Sequence, residues 1–537
     1  MERWISALGL LVLMGIAYLF SRHRREVQFR TIAWGVGLQL LLAVTILGSK
    51  LVSFGGMFVL AFLVVLYVFE EEFHKRAAGL GKALPWVVGA ATLAASAAVV
   101  ALFYVLAPYY VTLALLIAAA VAVAVAIKLG REHLARVSFA AILVLGVAEL
   151  WARDVHGEVA FRALSDKVAS FLALSNRGAE FLFSNLVDPQ HWPATDTWPG
   201  FGFQFAFSVL PTIIFFSAFM SCMYYLGIVQ VVIAAIARFM RWSMGTSGSE
   251  TMSCSANIFV GQTEAPFLIK PFINDMTISE LHAIMVGGFA TVAGGVLAGY
   301  IRMGVDAGHL IAASVMSAPA ALVIAKLLLP ETEESKTAGD VELPEVETAD
   351  NLVEAAASGT TDGLKLALNV GAMLIAFIAL IAVCDTILGY FDGLIDGRLL
   401  GGALIEGTTE FAGFFPGSLQ TFFGTLLRPL AWVMGVPWQD SLVVGNLLGV
   451  KIAVNEFVSY GLLSQHIAAA DLQERSIVIA TYALCGFANF SSIGIQIGGI
   501  SALVPERRKD LARVGVRAMF GGALASWMTA TIAGILI

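Results

Sequence analysis

Apolar runs of close to 20 residues recur along almost the whole chain, and nothing else in the sequence restricts the fold as strongly. In a helix, about 20 apolar residues cross a hydrocarbon core of about 30 Å, so each run reads as a spanning segment. The composition agrees: 58% of the 537 residues are hydrophobic and 13% are charged. Soluble domains carry about 25% charged residues, so little mass is left for anything outside a membrane. The net charge of −7 gives no reason to expect a nucleic-acid partner. Cys222, Cys254, Cys384 and Cys485 are scattered through apolar contexts, with neither metal-ligand spacing nor a disulfide framework. The first run, about 4–20, follows Arg3, precedes "SRHRR" and has no small-residue cleavage pattern. It is a first spanning helix rather than a signal peptide.

Basic clusters mark the loops held on the cytoplasmic side. They are "SRHRREVQFR" (21–30), "HKRAAGLGK" (74–82), "KLGREHLAR" (128–136), "RFMR" (238–241) and "ERRKDLAR" (506–513). Helices placed between them fall at about 32–51, 54–70, 84–107, 109–128, 138–152 and 205–237. With the N-terminus outside, alternation puts every cluster inside. The expected organisation is first membrane helices (1–50), an extra N-terminal transmembrane block (51–152), and an external amphipathic segment and loop (153–204). A first repeat (205–330), a cytoplasmic linker with an interfacial helix (331–363) and a second repeat (364–537) follow. No polar constellation appears inside the extra block.

The two repeats show as a weak self-similarity. "GGFATVAGG" (287–295) resembles "CGFANFSSIG" (485–494), and a carboxylate-bearing segment lies upstream of each, "FVGQTEAP" and "IAVNEFVS". The halves start on opposite sides of the membrane. The expected fold is therefore an all-α polytopic membrane protein with inverted repeats, each holding a re-entrant helical hairpin and a partly unwound helix. That arrangement points to a secondary transporter with its substrate site near the midplane.

The carboxylates sharpen this. An unpartnered charge at mid-membrane costs about 2.5–3.5 kcal/mol on insertion scales, so Glu264 should face a cavity or a partner. Gly261 and Pro266 interrupt residues 249–273, and irregular backbone survives at depth only inside protein or beside water. A hairpin with "GQTEAP" at its turn meets both demands. Gln262, Thr263 and Glu264 then offer donors and acceptors to a neutral polar solute, unless they merely cap one another. A second hairpin, about 440–466, carries Asn455 and Glu456, whose carboxylate suits a sugar diol or, alternatively, a pair with Lys451. Asn489 and Ser492 are three apart, on one helical face, and either bind ligand or join helices; Phe487 offers an aromatic surface.

"NIFVGQTEAP", "GGFATVAGGVLAGY", "AASGTTDGLKLALNVGAMLIAFIALIA", "VNEFVSYG" and "CGFANFSSIGI" together resemble the concentrative nucleoside transporter family, loosely over 1–50 and densely over about 165–537. The resemblance implies a homotrimer in a lipid bilayer that takes up a nucleoside with sodium and performs no enzymatic reaction. By motif match, Gln262, Thr263 and Glu264 would read the nucleobase, and Glu456, Asn489 and Ser492 would hold the ribose beside Phe487. Sodium would lie at Asn257, Val260, Thr291 and Val292, all-oxygen donors that suit a hard monovalent cation. Many members carry serine where this chain has Thr291, which keeps the hydroxyl. The expected location is the plasma membrane, read as a bacterial inner membrane. The alternatives are proton coupling, carriage of a nucleobase or another small polar solute, an uncoupled sensor or channel, and an intramembrane enzyme using the paired carboxylates.

Overall fold

The computed structural model describes residues 2–70, 132–187, 204–337, 349–405 and 408–537, with isolated positions at 118, 120 and 121. The helices expected at 84–107 and 109–128, the loop at 188–200 and the middle of the linker lie outside the described residues. Among the described residues there is no β-strand, only an isolated bridge between Leu404 and Phe411. Eight described helices are long and apolar enough to cross a membrane.

The chain divides into two compact units, Leu40–Leu164 and the remainder, Met1–Gln39 with Ser165–Ile535. In the smaller unit, α3 (Lys50–Val68) packs on α4 (Glu132–Ala152) through Phe54 and Trp151, whose rings lie 4.9 Å apart. Glu149 lies in the last turn of α4 and pairs with Arg153 at 2.6 Å. The expected helices 32–51 and 54–70 correspond to α2 (Phe29–Leu47) and α3. The larger unit opens with α1 (Glu2–Leu19); α5 (Gly157–Leu172) runs from the smaller unit into it at Ser165, and α6 (Ser175–Phe183) follows.

In the main body one order of elements occurs twice. First come α7 (Leu210–Tyr225), α8 (Ile228–Met244), α9 (Gly248–Ala256) with a 3-10 helix (Ala265–Asp275), the pair α10 (Ile278–Ala290) and α11 (Gly294–Arg302), then α12 (Ala307–Leu328). Then come α13 (Leu352–Asp392), α14 (Leu419–Val433), α15 (Ser441–Ala453) with α16 (Glu456–Ala469), the pair α17 (Glu474–Leu484) and α18 (Phe490–Leu503), and α19 (Arg508–Leu536). Each set runs from a long helix through an amphipathic helix, a hairpin and an interrupted helix to a second long helix.

Two expectations need correction. The single helix at 205–237 is two, because Gly227 turns left-handed at φ 75° and starts α8 afresh. One face of α8 buries Val229, Ile233, Ala237, Met240 and Met244 at helical spacing, leaving Val231 exposed, as an amphipathic element requires. Residues 352–363, expected as linker and interfacial helix, are instead the first turns of the 41-residue α13. Asn351 caps that helix, accepting from Glu354 N at 2.9 Å, and its Ala- and Leu-rich start contains no proline to stop it.

Its two glycines are packing devices. A Cβ on Gly359 would sit 2.7 Å from Ser217 O, and one on Gly363 would sit 2.8 Å from Ile214 Cα, so the α13 and α7 backbones are in direct contact. Small residues four apart permit such close approach where lipid supplies no hydrophobic drive between helices. Gly371, farther along α13, has only Leu210 Cδ1 near its would-be Cβ, at 3.7 Å. Gly363→Leu is therefore expected to destabilise the fold by about 1–3 kcal/mol through overpacking, seen as a lower melting temperature in detergent. Gly371→Ala is expected to melt with the unsubstituted protein, and equal melting of both variants would contradict this contact.

Candidate functional site

The first polar segment sits between α9 and the 3-10 helix. Ser247 and Glu250 form a reciprocal capping box that starts α9, which ends at Ala256. The chain then turns tightly, with Gly261 O accepting from Glu264 N at 3.2 Å and from Ala265 N at 3.1 Å. Gly261 lies close under Glu264, whose Oε2 would have to move aside for a Cβ there, 2.2 Å away. Pro266 and Pro271 supply no N–H donor, and the returning arm is 3-10 rather than α-helical. Gln262 is buried, Thr263 half-buried and Glu264 exposed, and no described residue donates to the Glu264 carboxylate.

The second segment is the junction of α15 and α16. Asn455 caps α16, its Oδ1 accepting from Val458 N at 2.9 Å, which places Glu456 in the first turn. Glu456 is buried and its two oxygens take one donor each. Tyr300 Oη donates to Oε1 at 3.2 Å, and Asn489 Nδ2 donates to Oε2 at 3.0 Å. The alternative partner, Lys451, turns elsewhere, its Nζ donating to Ala483 O at 2.9 Å. That carbonyl belongs to the last turn of α17, where intrahelical donors run out and a cation is favoured.

Two interrupted helices cross beneath these tips. Between α10 and α11, Thr291 is extended at φ −121° and ψ 166°. Between α17 and α18, Gly486 takes φ +141°, and a Cβ there would lie 2.7 Å from Phe289 O. Only glycine satisfies both the angle and the space. The breaks are joined directly, Phe487 N donating to Thr291 O at 3.2 Å. Asn489 and Ser492 do not share a helical face in the expected way. Asn489 is the extended N-cap of α18, accepting from Ser492 N at 2.9 Å, because a side-chain cap satisfies an orphan N–H that the break exposes.

The tips and breaks line a cavity of about 200 Å³ that is open on one side. Gln262, Thr263 and Glu264 line one part, and Glu456, Asn489 and Ser492 another, with Phe487 also on the wall. Met373 and Leu374 of α13 add an apolar side. Both carboxylates thus share a chamber, although their segments are far apart in sequence.

Two residues that matter here were not singled out from sequence. Gln496 Nε2 donates both to Met285 O at 3.2 Å and to Gln262 Oε1 at 3.0 Å, and Gln262 Nε2 donates to Ser492 Oγ at 3.3 Å. A backbone carbonyl can only accept, so Met285 O fixes the Gln496 amide, which in turn fixes the Gln262 amide. Gln496 lies one helical turn after Ser492, a spacing that could have flagged it. Tyr300 offers no such signal, because its partner is 156 positions away.

The residues matched to an ion lie in the first tip and the first break. Asn257, Thr291 and Val292 are buried and Val260 is half-buried. Asn257 Nδ2 donates to Ser253 O at 3.0 Å, whereas its Oδ1 is buried without a hydrogen-bond partner. Thr291 Oγ1 donates to Gly287 O at 2.9 Å, and a Cβ on Gly287 would lie 3.5 Å from Asn257 Nδ2, so Gly287 packs beside Asn257. Gly294 N donates to Phe259 O at 3.3 Å, tying the first tip to the first break. An orphaned buried carbonyl costs about 1–3 kcal/mol, and a cation beside Oδ1 would offset that cost.

Known proteins share this architecture. The family described as "Na+ dependent nucleoside transporter C-terminus" matches residues 309–534, "Nucleoside recognition" matches 206–307, and "Na+ dependent nucleoside transporter N-terminus" matches 8–64. The N-terminal match runs into α3 and so enters the block expected to be extra. An uncharacterized transporter of Haemophilus influenzae is 45% identical over 406 residues, 75% of this chain and 89% of that one. Sodium/nucleoside cotransporter 1 of Mus musculus is 42% identical over 429 residues, 76% of this chain, which spans 61% of that relative's length. The solved structure of CNTnw in an inward-facing substrate-bound state has a TM-score of 0.72 at 33% identity, covering 100% of this chain and 98% of that one. On these likenesses, the chain belongs to the concentrative nucleoside transporter family and is a multi-pass membrane transporter rather than an enzyme.

Proposed function

We propose that the protein imports nucleosides across the plasma membrane by symport with sodium ions. The observation that carries the reading is the single cavity lined by both Gln262–Glu264 and Glu456, Asn489 and Ser492. In this reading the first tip reads the nucleobase: Glu264 accepts, Thr263 does either, and the locked Gln262 amide donates. Glu456 keeps lone pairs beyond those given to Tyr300 and Asn489, enough to accept from ribose hydroxyls. Phe487 lies beside the bound molecule.

Sodium sits between the first tip and the first break, held by Asn257 Oδ1, the Thr291 hydroxyl and the carbonyls of Val260 and Val292. The unpartnered Asn257 oxygen supports that placement. An ion there orders the tip and thereby prepares Gln262 and Glu264 for the base. The two five-element sets act as inverted repeats whose hairpins are re-entrant, and the hairpins with the broken helices move against the long helices as a body. The working assembly is a homotrimer with its N-termini outside.

Uridine uptake into proteoliposomes is expected to accumulate above equilibrium only under an inward sodium gradient. Accumulation driven equally by a pH gradient alone would replace sodium by protons. Glu264→Gln and Glu456→Gln are each expected to weaken uridine binding roughly 10- to 100-fold by titration calorimetry, the size of a lost charged hydrogen bond. Unchanged affinity would remove these residues from the site. Asn257→Ala is expected to raise the sodium concentration for half-maximal uptake about tenfold while uptake at saturating sodium persists. An unaltered sodium dependence would place the ion elsewhere.

A further inference from the structure

The proposed ribose carboxylate is held from both sides, and its two donors hang from different breaks. Asn489, bound to Glu456 Oε2, caps α18 directly after the second break. Tyr300, bound to Oε1, lies near the far end of α11, which begins directly after the first break. Gly294 to Tyr300 is six residues, so the Tyr300 Cα lies about 9 Å along the helix from its start.

Tyr300 is fully buried and is not one of the residues lining the cavity. Its ring stacks on Tyr460 at 4.2 Å and an interplanar angle of 29°, and it meets Phe457 at 5.1 Å. Tyr460 Oη donates to Thr481 O at 2.7 Å, which anchors this stack to α17. Gly299, beside Tyr300, would bring a Cβ within 3.4 Å of Phe457 Cζ, so α11 and α16 are in close contact there. The ring is thus clamped between α11 and α16, with its hydroxyl set against Glu456 Oε1.

We infer that Tyr300 is a positioning residue that couples ion occupancy at the first break to the sugar-binding carboxylate Glu456. The inference rests on the sodium and ribose assignments proposed above and adds a route between them. An ion that draws the oxygens of Thr291 and Val292 together fixes the direction of α11, which sets the Tyr300 hydroxyl against Glu456 Oε1. Without the ion the break samples other directions, and Glu456 loses a donor and its aim. Linkage makes the effect mutual, so a bound sugar favours the ion equally.

The test compares uridine affinity in sodium and in choline, by titration calorimetry, for the unsubstituted protein and for Tyr300→Phe. The Phe variant keeps the stacked ring and removes only the hydroxyl. Sodium is expected to tighten uridine binding by at least about fivefold in the unsubstituted protein, within the usual span of coupling. Tyr300→Phe is expected to weaken binding about tenfold in sodium and less than about twofold in choline. An equal loss in both salts would make Tyr300 a plain support of Glu456 and overturn the coupling. If the variant does not fold, the unsubstituted protein supplies the readout with 2′,3′-dideoxyuridine, which lacks the sugar hydroxyls. Sodium is expected to tighten that compound less than uridine, and equal tightening would overturn the inference. Uridine binding that sodium leaves unchanged in the unsubstituted protein would instead overturn the symport reading, and this inference with it.

Discussion

The contact on which the rest of this structure depends is the crossing of two broken helices, where Phe487 N meets Thr291 O at 3.2 Å. A helix spanning lipid satisfies its own backbone, and interrupting it frees N–H and C=O groups that lipid cannot serve. Here one break answers another. Gly486 permits the approach by occupying a region closed to other residues and by leaving room for Phe289 O. At the second break a freed N–H is met by the side chain of Asn489, which also lines the cavity.

The cap and the site therefore share side chains. Asn489 satisfies the start of α18 with its oxygen and holds Glu456 with its nitrogen. Asn455 opens α16 and by doing so puts Glu456 in the first helical turn, at the cavity wall. Lys451, buried throughout, serves the end of α17 instead of neutralising the carboxylate five residues later. Breaking a helix in a membrane creates obligations, and the residues that meet them are already turned inward, where a polar solute would lie.

Much of this was legible in the order of residues. "GQTEAP" and "VNEFVS" announced two interrupted apolar segments, and the tips stand at those places. The split at Gly227 was hidden because the residues on both sides of it are apolar, and a turn there leaves hydropathy unchanged. The true start of α13 was hidden because "NLVEAAASGTTDG" is polar enough to read as linker. Its packing, through Gly359 and Gly363 against the backbone of α7, joins residues far apart in the chain.

By itself the sequence determined that this is a helical membrane protein, which segments are interrupted, and which side chains are available at each interruption. Local chemistry is sufficient for those points, since apolar length, glycine, proline and capping residues act within a few positions. The tertiary structure alone decided that Glu264 and Glu456 share one chamber, that Lys451 hydrogen-bonds Ala483 O rather than Glu456, and that Tyr300 and Gln496 hold the groups lining it. Those relations join residues up to 234 positions apart, and no periodicity along a chain encodes which side chain a fold will bring opposite another.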